Sequence, residues 1–229
     1  MTLWDGLAEA FRLLLRGDPY LLDVLRRTAL ISGLATGVAL AVGLPAGYAL
    51  ARGRWPGRTL LLATVHTGMG LPPIVVGLVI YLLLARSGPF GDLGWLYTPQ
   101  AMVLAQVVIA TPLVVSFTTA SFQSLPQELD DLLRVLGAGP AARCWLLARE
   151  ARLGLLAAVM AGFGAVVSEV GAALNVGGNL DGSTRVLTTA IVLEAARGEY
   201  ARAIAFGAIL LLLALAANLA LTAAQQRER

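Results

Sequence analysis

Residues 28–50 read TALISGLATGVALAVGLPAGYAL, a run without one charged side chain. A helix needs about 20 predominantly apolar residues to cross the hydrocarbon core of a bilayer, and this stretch meets that length. It stops before ARGRWPGR at residues 51–58. Pro45 lies near its end, where a kink is tolerated because neighbouring helices can satisfy the freed carbonyl. The stretch predicts a membrane-spanning helix.

The rest of the chain extends that reading. Of its 229 residues, 58% are hydrophobic and only 14% charged, against roughly 25% charged in an ordinary soluble domain. A mean hydropathy of +0.77 is more than one water-soluble core can hide, so apolar side chains must face lipid. A second span is expected from Thr59 to Leu84, broken at GMGLPP, residues 68–73, with a short half up to Thr67 and a longer half restarting at the prolines. A third covers Gln100–Ser121 with Pro112 inside, a fourth Leu153–Asn175 and a fifth Ala201–Ala224. The fold class is therefore all-α, with about five transmembrane helices.

Other stretches are too polar to cross. Residues 2–16 place Trp4, Leu7, Phe11 and Leu14/Leu15 at helical spacing, an amphipathic helix lying in the interface and ended by Gly17-Asp18-Pro19. Residues 1–24 form this interfacial segment, 25–225 the transmembrane domain and 226–229 a short tail. Residues 122–152 mix Glu128, Asp130 and Asp131 with Arg134, Arg143, Arg149 and Arg152. Ser124 and Gln127 fit a capping-box start, and the acids fall where the helix dipole favours them. Gly137-Ala138-Gly139-Pro140 is a turn before a fresh helix, which makes a helix–turn–helix on the membrane surface. GGNLDGSTR, residues 177–185, is a polar turn followed by a short helix at Val186–Arg197.

Every basic residue among the 17 is arginine. A phosphate-cradling loop of the G-x-x-x-x-G-K-[ST] type needs a lysine, so any ATP used through such a loop sits on a partner chain. One cysteine, Cys144, excludes an intrachain disulfide, and one histidine, His66, makes a protein-only metal cluster unexpected. The net charge of +3 fits a topology signal better than a nucleic-acid footprint.

Arginines set the expected orientation. Arg52, Arg54 and Arg58, the four arginines of 122–152, and Arg227 and Arg229 share one side, whereas the 85–98 loop carries only Arg86. The positive-inside rule puts the first group in the cytoplasm. An odd number of spans then leaves the N-terminus outside, which sets Arg12, Arg16, Arg26 and Arg27 against the rule.

The surface segment ELDDLLRVLGAGPAARCWLLAREARL, residues 128–153, carries an apolar stripe of Leu132, Leu133 and Leu136, then a glycine elbow and a second helix with Trp145. Such a helix pair either inserts into a partner's groove or lies on the bilayer. Inside the fourth span, Ala157, Ala161 and Ala165, with Ala158 and Gly162, allow helix backbones to approach closely, more simply within one subunit than across a dimer. Glu169 is an intramembrane acid; a carboxylate is a poor ligand for an anion, so a structural role is expected, by hydrogen bonds to the adjacent loop or by pairing with Arg185. Anion candidates are Asn179 and Arg185 in the 177–185 turn, where glycine backbone and a guanidinium offer donors. The same turn reads equally as a docking point for a binding protein. Pro72 and Pro73 begin a half-helix whose positive dipole end could face an anion, though a simple kink explains them as well. His66 reads as a packed or interfacial side chain, and Cys144 as a packing residue.

The 128–153 segment resembles the EAA loop of ABC importer permeases: Asp131 and Gly137 hold the spacing of an acid followed six residues later by glycine, with Leu132 and Leu133 in place of two alanines. The family's later Leu-Pro pair is absent, Leu147-Ala148-Arg149-Glu150 standing there instead. GMGLPPIVVGL, SGPFGDLGWLYTPQAMVLAQ, IATPLVVSF and EVGAALNVGGNLDGSTRVLTTAIVLE look like the tungstate-type branch of that family, with molybdate and sulfate permeases as the alternative. The resemblance implies a type I importer architecture in a prokaryotic inner membrane, a homodimer, two ATPase subunits carrying the ATP, an extracytoplasmic oxyanion-binding protein, and no catalysis, cofactor or nucleic acid in this chain. It further implies coupling to the ATPase through Glu128, Asp130, Asp131, Leu132, Leu133, Gly137, Arg143 and Trp145. The rivals are an ion-coupled secondary transporter and a non-transporting membrane scaffold.

Overall fold

A computed structural model describes residues 3–226, and the regular elements among them are all helical. Arg227 and Arg229, which entered the orientation argument, lie outside the described residues.

Helix α1 spans Leu3–Arg16. Its small face, Gly6, Ala10 and Leu13, is buried, and its large apolar residues Trp4, Phe11 and Leu15 are exposed. Gly17 adopts φ 58°, and Asp18 caps α2 (Pro19–Arg52) by accepting the Leu21 N–H at 2.8 Å. Helix α2 has 34 residues, which at about 1.5 Å each exceeds the roughly 30 Å hydrocarbon core. It runs without interruption through residue 24, begins before the expected Thr28, and carries Pro45 inside.

Next come α3 (Arg58–Met69) and α4 (Pro73–Leu84), bent by 103° from one another. The expected break is there, but its halves are equal at 12 residues each, and the bend is far beyond a simple kink. A short 3₁₀ turn at Gly91–Leu93 leads to α5 (Pro99–Gln123). On the arginine-rich side follow α6 (Gln127–Val135) and α7 (Pro140–Glu150), then α8 (Arg152–Val167), α9 (Gly171–Gly177), α10 (Leu187–Ala196) and α11 (Tyr200–Gln226). The fourth span is therefore not continuous: it breaks at Ser168–Val170. Three helices, α2, α5 and α11, are long and apolar enough to cross a membrane, and five crossings result if each bent pair, α3 with α4 and α7 with α8, counts as one.

Helix α5 lies at the centre, packed on α2, α8, α9 and both halves of the broken span. Its seam with α2 is close because Gly47 has no side chain: a Cβ there would stand 2.9 Å from the Val115 carbonyl oxygen. Ala35, Ala39, Ala110 and Val114 fill this seam. Ala158 and Gly162 of α8 are buried within the chain, as the reading of tight packing inside one subunit expects. A second cluster joins α1 and the start of α2 to Leu187, Ala190, Phe206 and Ile209 of α10 and α11.

Candidate functional site

Helices α6 and α7 meet at a fixed elbow. Gly137 has φ +77°, its N–H reaches the Arg134 carbonyl at 3.0 Å, and the Ala138 N–H reaches Leu133 at 3.0 Å. That paired closure of a helix end favours glycine at the left-handed position. Helix α7 restarts at Gly139-Pro140, with proline in the first turn. The expected capping box is absent: Pro126 is the N-cap of α6, and the Ser124 hydroxyl instead donates to the Ser121 carbonyl at 2.8 Å. Serine is drawn to the end of α5, which only three residues separate from α6.

Asp130 clasps the pair. Its side chain, 7% exposed, accepts from Arg134 Nη2 at 2.7 Å and from Arg143 Nε at 3.1 Å. One carboxylate thus ties the first turn of α6 both to its own last turn and to α7. Beneath it, Phe122, Leu147 and Ala151 form a small core with Leu129 and Leu133. Leu133 therefore faces inward, and the exposed apolar ridge is Leu132, Val135 and Leu136 rather than the expected stripe. Trp145 is also exposed, with the Arg149 guanidinium 5.8 Å from its ring centre. Glu128 and Asp131 are exposed, and Cys144 is half-buried on α7.

The two helix breaks meet in the bundle. Gly68–Pro73 and Ser168-Glu169 together line a cavity of about 460 Å³ with Val108, Leu113 and Ala165. Pro72 caps α4 without a side-chain bond, and Pro73 begins its first turn. On the opposite wall the Glu169 carboxylate accepts the Ala172 N–H at 2.7 Å, which caps the start of α9, and the Glu169 carbonyl accepts from the Thr188 hydroxyl at 2.9 Å. Asn175 Nδ2 crosses from α9 to the Ile74 carbonyl at 3.1 Å. The partners of Glu169 are a backbone amide and, at its carbonyl, a threonine hydroxyl, and Arg185 is not among them.

Arg185 closes the 178–186 loop on itself. Its guanidinium donates to Asn179 Oδ1 at 3.3 Å and the Asn179 carbonyl at 3.1 Å, meets Asp181 at 3.2 Å, and reaches the Tyr20 hydroxyl at 3.1 Å. Asn179 has φ 51° and donates to the Thr189 carbonyl at 3.2 Å. Asn179 and Arg185 are together, as the sequence reading grouped them, but neither lines the cavity that holds Pro72 and Pro73. Tyr97, also in left-handed backbone, donates its N–H to Val176 at 2.8 Å. A side-chain hydrogen bond with Tyr81, then burial, raises the Tyr97 phenol above the usual tyrosine range.

Three features escaped sequence reasoning. Glu194 is a third buried acid after Asp130 and Glu169, paired with Arg197 at 3.5 Å; its position in a short helix beside a polar turn hid it. The Asp130–Arg143 contact needs the elbow and has no local signal, although Asp130 and Arg134 stand at the helical i,i+4 spacing. The third is α3 itself, a half-helix without one buried residue, on which His66, read as packed or interfacial, is exposed. Among the described residues no group of three or more histidine, cysteine or acidic side chains could hold a metal.

A family model described as binding-protein-dependent transport system inner membrane component matches residues 43–229. A probable anion ABC transporter permease protein of Haloferax volcanii is 41% identical over 204 residues, covering 87% of this chain and 88% of that one. The tungstate uptake system permease protein TupB of Peptoclostridium acidaminophilum is 34% identical over 222 residues, covering 97% of both. In shape, the chain matches a solved amino acid ABC transporter with a TM-score of 0.67 at 18% identity, covering 93% of this chain and 96% of the other; that likeness concerns the fold alone.

Proposed function

The chain belongs to the family of binding-protein-dependent transport system inner membrane components, and on that premise we propose that it is the translocating subunit of an ATP-driven importer of a tetrahedral oxyanion, tungstate first and molybdate or sulfate next. The observation that carries the substrate is the similarity to a tungstate permease over nearly the whole of both chains. Two ATPase subunits, an extracytoplasmic binding protein and a second copy of this chain complete the assembly. Lysine's absence from the sequence supports ATP being held elsewhere, and the chain performs no covalent chemistry.

The elbow suits coupling. Leu132, Val135, Leu136 and Trp145 offer an exposed apolar ridge to a groove on the ATPase, with Glu128 and Asp131 at its polar edge. Gly137, Asp130 and Arg143 keep α6 and α7 one rigid piece, so a push on the ridge reaches α8 directly. Helix α8 leads to the break at Ser168–Val170, which faces the break at Gly68–Pro73 across the cavity. Two broken helices at one level form a place where the path can open and close. There the uncapped start of α4 at Pro72-Pro73 presents its positive dipole end to the passing dianion. Asn179 and Arg185, whose donors are engaged by their own loop, by Tyr20 and by the Thr189 carbonyl, contribute shape and positive charge at the outer mouth. Helix α3, which has no buried residue, supports a second copy covering it around a shared axis.

An ion-coupled carrier would need a free acid in the bundle. Glu169 is engaged in capping and Glu194 in an ion pair, which favours the ATP-driven reading. Uptake of labelled tungstate into proteoliposomes holding the chain, its ATPase and its binding protein tests the substrate. Competition by unlabelled tungstate, with molybdate weaker, is expected. Uptake of neither oxyanion under ATP would overturn the substrate assignment.

A further inference from the structure

Between the α2–α3 loop and α6 lies a cleft of about 840 Å³, whose walls include Arg52, Arg54, Trp55, Arg58, Asp130 and Arg134. The loop forming one wall, residues 51–58, carries three arginines and no acid. On the facing wall Asp130 is already answered by Arg134 and Arg143, which leaves Asp131 at the rim as the other acid. Positive charge is thus in excess. Arg58 commits Nε to the Leu50 carbonyl at 2.6 Å, and Arg54 is exposed. Arg52 is the telling member: it is half-buried, and its Nε and Nη2 are sealed from solvent without a hydrogen-bond partner. Buried polar groups are almost always paired, so a guanidinium at the wall of a basic cleft with two unmade bonds gains an acceptor by turning toward that cleft.

We infer that this cleft binds a phosphate-type oxyanion group through Arg52, Arg54 and Arg58, with coupling helix α6 as its opposite wall. Guanidinium forks match the oxygens of such a group and make short, charge-assisted bonds to it. The group has two possible sources, an anionic phospholipid headgroup and a free dianion. The cleft stands where the apolar run of α2 ends and Trp55 is 40% exposed, the level at which aromatic side chains and anionic headgroups gather. Its volume also exceeds the need of a bare dianion, so the headgroup is the expected source. Once bound, the group bridges the α2–α3 loop to α6. The cleft shares no residue with the cavity at the helix breaks, so a wrong substrate assignment leaves the inference untouched.

The test uses the full chain in nanodiscs and reads Trp55 emission as the difference from Trp55→Phe. One arm titrates inorganic phosphate into discs of phosphatidylcholine alone; the other varies phosphatidylglycerol content with no added phosphate. A saturable change in the lipid arm is expected, weakened about tenfold or more in Arg52→Gln/Arg54→Gln. A saturable change in the phosphate arm, lost in that variant, assigns the same site to a free anion. A flat response in both arms, or an equal response in the double variant, overturns the inference. Should the double variant not insert, Arg54→Gln alone decides, since its exposed side chain leaves the fold intact: unchanged affinity is the contrary result.

Discussion

Asp130 and Asp131 are adjacent and identical in type, yet their environments separate them. Asp130 is buried with two arginine partners, whereas Asp131 is exposed. Hydrogen bonds to charged groups contribute about 1.5–3 kcal/mol, so Asp130→Ala should lower stability by about 2 kcal/mol and Asp131→Ala by less than about 0.5 kcal/mol. Thermal unfolding of the two variants in one detergent checks this, and equal midpoints would remove the clasp. Gly137→Ala should cost about 1 kcal/mol, because its φ of +77° lies where an L side chain meets its own backbone. The glycine and the i,i+4 pair were readable in the sequence. Arg143 was not, since thirteen residues and a turn separate it from its partner.

At the scale of helices, the two breaks were unequally legible. GMGLPP announces the first, because adjacent prolines remove amide donors and glycines punctuate the run. The second, at Ser168–Val170, has neither proline nor a glycine pair, so apolar composition carries straight through it. Glu169 was its one signal, a side chain able to cap the restarting α9. Glu169→Gln keeps an accepting oxygen for the Ala172 N–H and should retain uptake. Glu169→Ala leaves that turn uncapped and should cost about 1 kcal/mol. Loss of uptake in Glu169→Gln, with the chain still folded, would instead assign the carboxylate a proton or ion. Replacing Pro72 and Pro73 by alanine should relax the 103° bend; spin labels at residues 61 and 82 should move apart, and an unchanged distance would place the cause of the bend in packing instead.

For the whole molecule, the all-helical class, the long apolar helices and the helix–turn–helix at residues 127–150 were legible, because each follows from the cost of exposing polar groups to lipid. That α3 is left without a buried residue was not, since such a half-helix reads like any lipid-facing segment until its neighbours are placed. If the chain couples as proposed, a push on the elbow becomes movement at the helix breaks. ATP-dependent tungstate uptake by the reconstituted assembly, with and without Gly137→Asp, tests this. Uptake that needs ATP and collapses in the variant, while the ATPase still co-purifies with it, is the expected result. Uptake that proceeds without the ATPase and follows an imposed ion gradient would contradict it.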